Sequence, residues 1–139
     1  MQEILAVINS VNRRQIEQME KTGKELDPCA HGSDTAFSEQ VRNVQAAIIH
    51  TYQLVASASL QQEGPETAAR LWKAMSVFCG AALASLGKLK DIYPACGTPE
   101  LYDLALDYKL QADKRFYQNL EDAECAKTEM PKGLFPTPS

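Results

Sequence analysis

Phe37, Val41, Val44, Ile48, Thr51, Val55 and Ala58 follow one another at intervals of four, three, four, three, four and three residues. This spacing constrains the fold of the chain more than any other feature. It lines all seven along one side of a helix, as a seam that faces another helix at a shallow angle. A seam this long needs helices of similar length to cover it, and the remaining sequence supplies them. No stretch alternates strictly between apolar and polar residues, so no strand is expected.

Proline and glycine clusters divide the chain into four helical segments. The first spans about Gln2 to Leu26, with Ile4, Ile8 and Val11 on one stripe and Ile16, Met19 and Leu26 on a slightly rotated one. Gly23 weakens its last turn, because glycine costs about 1 kcal/mol relative to alanine inside a helix, and Asp27-Pro28 ends it. The second segment starts near Ser33, Asp34 or Thr35, each able to cap free backbone N–H groups, and ends at about Gln62. Gly64-Pro65-Glu66-Thr67 begins the third, with proline at the first position and an acid near the positive end of the helix dipole. That segment carries Ala68, Leu71, Trp72, Met75, Phe78, Cys79, Ala82, Leu86 and Leu89, stops at Tyr93-Pro94, and presents Ser76, Gly80 and Ala84 as a face of small residues. Thr98-Pro99-Glu100 opens the fourth, whose stripe is Leu101, Ala105, Tyr108, Ala112, Phe116, Leu120 and Ala123, fading near Lys127.

Short connectors force neighbouring helices to run antiparallel. The expected architecture is therefore an all-α, up-down-up-down four-helix bundle over residues 1–129, followed by a Pro-rich extended tail over 130–139. With 139 residues, 45% of them hydrophobic and 23% charged, the chain fits one globular domain that buries enough surface to do without disulfides or metal. The apolar run from Ala74 to Gly87 is 14 residues, short of the roughly 20 that span a bilayer. With no secretory pattern at its start and no CxxC pair, the chain reads as soluble and cytoplasmic.

The chemical motifs are few. His31 and His50 are the only histidines, neither lies in a nucleophile motif, and no phosphate-binding glycine loop is present. No catalytic activity is expected and no cofactor is implied. In an up-down-up-down bundle the first and third connectors share an end, which would gather Cys29, His31 and Cys96. Three readings stay open there: ordinary loop residues, a disulfide between the two cysteines, or a zinc site that would recruit a further ligand such as Asp27 or Asp34. Cys79 lies within the apolar run of the third segment and reads as a core residue. Cys125, near the end of the fourth, reads as exposed.

Charge points toward protein partners. Fourteen basic against eighteen acidic residues give a net charge of −4, which disfavours direct binding to nucleic-acid phosphates. From Pro99 onward there are eight acids and five bases. Asp103 and Asp107 belong either to a solvated helix face or to an acidic docking face for a basic protein. Tyr52, Tyr102 and Tyr117 belong at the bundle boundary or on an interface. Leu134 and Phe135 form an apolar pair in the tail that either packs back along the bundle or docks into a partner's groove. The function expected from these features is a non-enzymatic interaction bundle: an adaptor, small subunit or regulator of a larger assembly, with a homo-oligomer as one form. The alternative is a ligand-, metal- or redox-sensing bundle that uses the Cys29/His31/Cys96 end.

Overall fold

The computed structural model describes residues 2–25, 35–61, 64–90 and 95–134. Among them are four helical rods and no strand, packed as an all-α bundle. The first rod joins an α-helix (Gln2–Ala6), a π-helical segment (Val7–Asn12) and a second α-helix (Arg13–Glu25). The second helix is Thr35–Gln61, the third Pro65–Lys88 and the fourth Thr98–Leu134.

Side chains at the two ends of the bundle fix its topology. At one end, a Cβ placed on Gly23, late in the first helix, would meet Phe37, early in the second, and Leu89, just past the third. Gly97, just ahead of the fourth helix, lies beside Val41 of the second. At the other end, Leu5 of the first helix, Ala69 of the third and Leu120 of the fourth line one groove. Each helix therefore reverses the direction of the one before.

The core is the one the spacing specifies. Phe37, Val41, Val44, Ile48, Thr51 and Val55 of the second helix are buried, as are Leu71, Trp72, Met75, Phe78, Cys79, Ala82, Leu86 and Leu89 of the third helix and the turn after it. The small-residue face of the third helix packs inside the chain. Lys109 passes within 3.5 Å of a Cβ placed on Gly80, and Ser76 hydrogen-bonds Asp113, while Ala84 stays exposed.

Four details differ from the sequence reading. In the first helix Asn12 is buried, 4% exposed, and Val11 is 48% exposed. The π-helical segment is the reason: its wider i→i+5 turns let steps of four keep Ile8, Asn12 and Ile16 on the buried side. Gly23 is a packing residue rather than a weak point, because any side chain there would collide with Leu89 and Phe37 at 2.8–2.9 Å. The third helix ends at Lys88 instead of Tyr93-Pro94. The Leu89 N–H bonds the Leu86 carbonyl in a tightened last turn, and the Leu89 side chain swings in against Gly23.

The fourth helix runs on from Lys127 through Pro131 to Leu134. A proline forfeits its own amide bond and crowds the carbonyl four residues back, but the backbone can continue beyond it. Of the expected tail, residues 130–134 are therefore helical and 135–139 lie outside the described residues. No described helix is long and apolar enough to cross a membrane.

Candidate functional site

The seam between the third and fourth helices holds a partly buried polar cluster at the edge of the bundle. Lys73 lies 5.3 Å from the centre of the Phe116 ring, Ser76 donates to Asp113, and Lys109 lies beside Gly80. The third helix thus advances by three and four residues as the fourth retreats by three and four, which defines an antiparallel register. Asp113 also accepts from Lys109 Nζ at 2.8 Å. Burial acts to raise the Asp113 pKa, but the hydrogen bonds from Lys109 and Ser76 outweigh it, and the carboxyl titrates below its usual range. Cys79 lies nearby in the core, and burial pushes its thiol up to about 12. It remains a protonated, inert thiol at neutral pH.

On the second helix, Tyr52 sits at the bundle boundary. Its hydroxyl donates to Gln111 Oε1 at 2.9 Å, and its ring packs edge-on to Trp72 at 5.3 Å and tilted to Tyr108 at 4.7 Å. Arg115 covers the Trp72 ring at 5.1 Å. These contacts absorb the aromatic residues of this region into structure. His50 is exposed.

The residues of the proposed sensing end are only partly described. Cys29 and His31 lie outside the described residues. Cys96 is half-buried in a 3₁₀ turn (Ala95–Gly97), with a φ of 59°, followed by Gly97 at 82°. Two consecutive left-handed residues reverse the chain into the fourth helix, and glycine adopts that conformation without the Cβ penalty that Cys96 bears. Among the described residues no group of three or more His, Cys, Asp or Glu could hold a metal ion.

The feature that the sequence analysis missed lies on the outside of the fourth helix. Leu106, Leu110 and Tyr117 are exposed, Leu110 by 59% and Tyr117 by 64%. Spacings of four and seven place them on one face of the helix, displaced from the core stripe. Asp103 and Asp107, both exposed, run alongside the row; Asp107 accepts a hydrogen bond from Gln111 at 3.0 Å. The signal was present in the sequence as leucines at 106 and 110 that fall off the buried stripe. Single exposed leucines are ordinary, however, and only a placed helix shows them side by side.

A second apolar feature is a groove of about 400 Å³ at the end where the first and third helices begin. Leu5 of the first helix, Ala69 and Ala74 of the third and Phe116 and Leu120 of the fourth line it, together with the charged Glu66, Arg70 and Lys73. Leu120, expected in the core, is 42% exposed here, on the open groove that it lines with Ala69 and Leu5. Of the apolar tail pair, Leu134 is the last helical residue, and Phe135 lies outside the described residues.

No family model, no curated protein and no solved structure matches the chain.

Proposed function

We propose that the chain is a non-enzymatic interaction module that docks an amphipathic helix of a partner protein along the outer face of its fourth helix. The observation that carries this reading is the exposed row Leu106, Leu110 and Tyr117, flanked by Asp103 and Asp107. A helix that lays an apolar stripe on the row and basic residues beside the two aspartates would satisfy both the burial and the charge. An adaptor, small subunit or regulator is the biological form such a module takes.

Two further observations support it. The Ser76, Lys109 and Asp113 side chains between the third and fourth helices are engaged with one another. The groove lined by Leu5, Ala69, Phe116 and Leu120 is an open, largely apolar surface, the kind of surface a protein partner covers.

The test is a native mass spectrum of the protein isolated gently from its own cells, wild type against the Leu106→Glu/Leu110→Glu variant. The reading expects a second, different polypeptide at fixed stoichiometry on the wild type. The variant should be bare while keeping its helical circular dichroism and Tm. A bare wild type, or a partner held equally by both chains, contradicts it.

A further inference from the structure

The exposed row on the fourth helix belongs to a longer series. Leu106, Leu110, Asp113, Tyr117 and Leu120 follow one another at intervals of four, three, four and three, the heptad spacing with which one helix packs along another at a shallow angle. The four apolar members are exposed and Asp113 is half-buried. At about 100° per residue, the series lies roughly a third of a turn around the helix from the buried Leu101, Ala105 and Ala112. The fourth helix thus carries two seams, and the bundle covers one of them.

Two charge features narrow what can fill the second seam. Along one flank Asp107, Lys114 and Glu121, all exposed, stand seven residues apart as negative, positive and negative. Residues at that spacing keep to one flank and face the matching flank of a partner helix. Within the seam, Asp113 is held as a carboxylate by the hydrogen bonds from Ser76 and Lys109. A partner that covers it has to offer a donor rather than a methyl group. A second copy of the chain does not meet both conditions. Packed parallel and in register, it sets Asp113 against Asp113 and Lys109 of one copy beside Lys114 of the other. Packed antiparallel with Lys114 against Asp107, it lays Leu110 on Asp113.

Taking this face as the docking surface proposed above, we infer that its partner is a heptad helix of another protein with the complementary flank. That flank carries a basic, an acidic and a basic residue at intervals of seven, set against Asp107, Lys114 and Glu121. The apolar seam of the same helix carries a hydrogen-bond donor at the level of Asp113. Leu106, Leu110, Tyr117 and Leu120 supply the burial. The flank charges and Asp113 select the partner and fix its register, as flank charges and a lone polar seam residue do between paired helices.

The experiment joins adjacent lysines and carboxylates with a carbodiimide in the complex isolated from the protein's own cells. Lys114 should be linked to an Asp or Glu of the partner that has a Lys or Arg seven residues before it and another seven after it. In the purified pair, Lys114→Glu should weaken binding by about 10-fold, and changing the linked partner acid to Lys should restore it. Helical circular dichroism should not change, because Lys114 is exposed. A complex that Leu106→Glu/Leu110→Glu abolishes, but in which Lys114→Glu has no effect or the linked acid lacks its basic neighbours, overturns the heptad partner and leaves the docking face standing. A bare wild-type chain, or Lys114 linked to Asp107 of a second copy, overturns both.

Discussion

Asn12 Nδ2 donates to Thr51 Oγ1 at 2.8 Å, joining the first and second helices through two side chains that are both buried. The contact exists because the π-helical turn brings Asn12, rather than Val11, to the inner face. Removing one partner strands the other in an apolar setting, which costs about 1–3 kcal/mol. Thr51→Val should therefore destabilise the bundle by that amount. Pairing it with Asn12→Leu should cost clearly less than the two single changes added together. Urea unfolding of the four proteins in the cycle measures this, and strict additivity would refute the contact.

Glycine positions separate packing from propensity. Gly23→Ala should cost about 1–3 kcal/mol, because the new methyl overlaps Leu89 and Phe37 in a filled core. Gly87→Ala should stabilise by about 0.5–1 kcal/mol, since it is a helical position with open space around the added carbon. Thermal unfolding should shift in opposite directions for the two variants. A shared direction would place the end of the first helix wrongly.

The Asp113 cluster makes stability depend on pH with a definite sign. Its pKa is lowered in the folded chain, with burial opposing and the Lys109 and Ser76 hydrogen bonds prevailing. The contribution is therefore present above the ordinary aspartate range and is lost as pH falls through the lower folded value. Asp113→Asn should cost about 1 kcal/mol at pH 7, a low figure because the pair is partly solvated. The gap between variant and wild type should shrink below about pH 4. Urea midpoints at pH 7 and pH 3 decide it; a gap that stays constant contradicts the assignment.

Thiol reactivity reports burial directly. Cys79 is fully buried with its thiol pushed up to about 12, and Cys125 is exposed. At pH 8, iodoacetamide should label Cys125 within minutes and leave Cys79 unmodified until denaturant is added. Peptide mass analysis reads both sites in one sample. Labelling of Cys79 in the native state at a comparable rate would mean that the third helix is not seated as described.

Much of this molecule could be read from its sequence. The second-helix seam from Phe37 to Val55 and the third-helix stripe from Leu71 to Leu89 are buried where periodicity put them, because regular α-helices convert spacing into direction without further information. What escaped the reading were departures from that regularity. The π-helical turn at Val7–Asn12 has no propensity signature, and it exchanged Val11 for Asn12 on the inner face. The role of Gly23 depends on Leu89, 66 positions away in the sequence, folding back onto it. The exposed row on the fourth helix could not be recognised until the buried stripe was located, since Leu106 and Leu110 gain meaning only from facing away from it. The acidic neighbours Asp103 and Asp107 were visible from composition, but their position along an apolar row was not.

The most direct test of the docking surface is hydroxyl-radical footprinting of the protein, alone and in complex with the partner it carries from its own cells. Leu106, Leu110 and Tyr117 should be oxidised readily in the free chain and protected several-fold in the complex. Leu60, 88% exposed on the second helix, should react equally in both. Equal oxidation of the three fourth-helix residues with and without the partner would contradict the account.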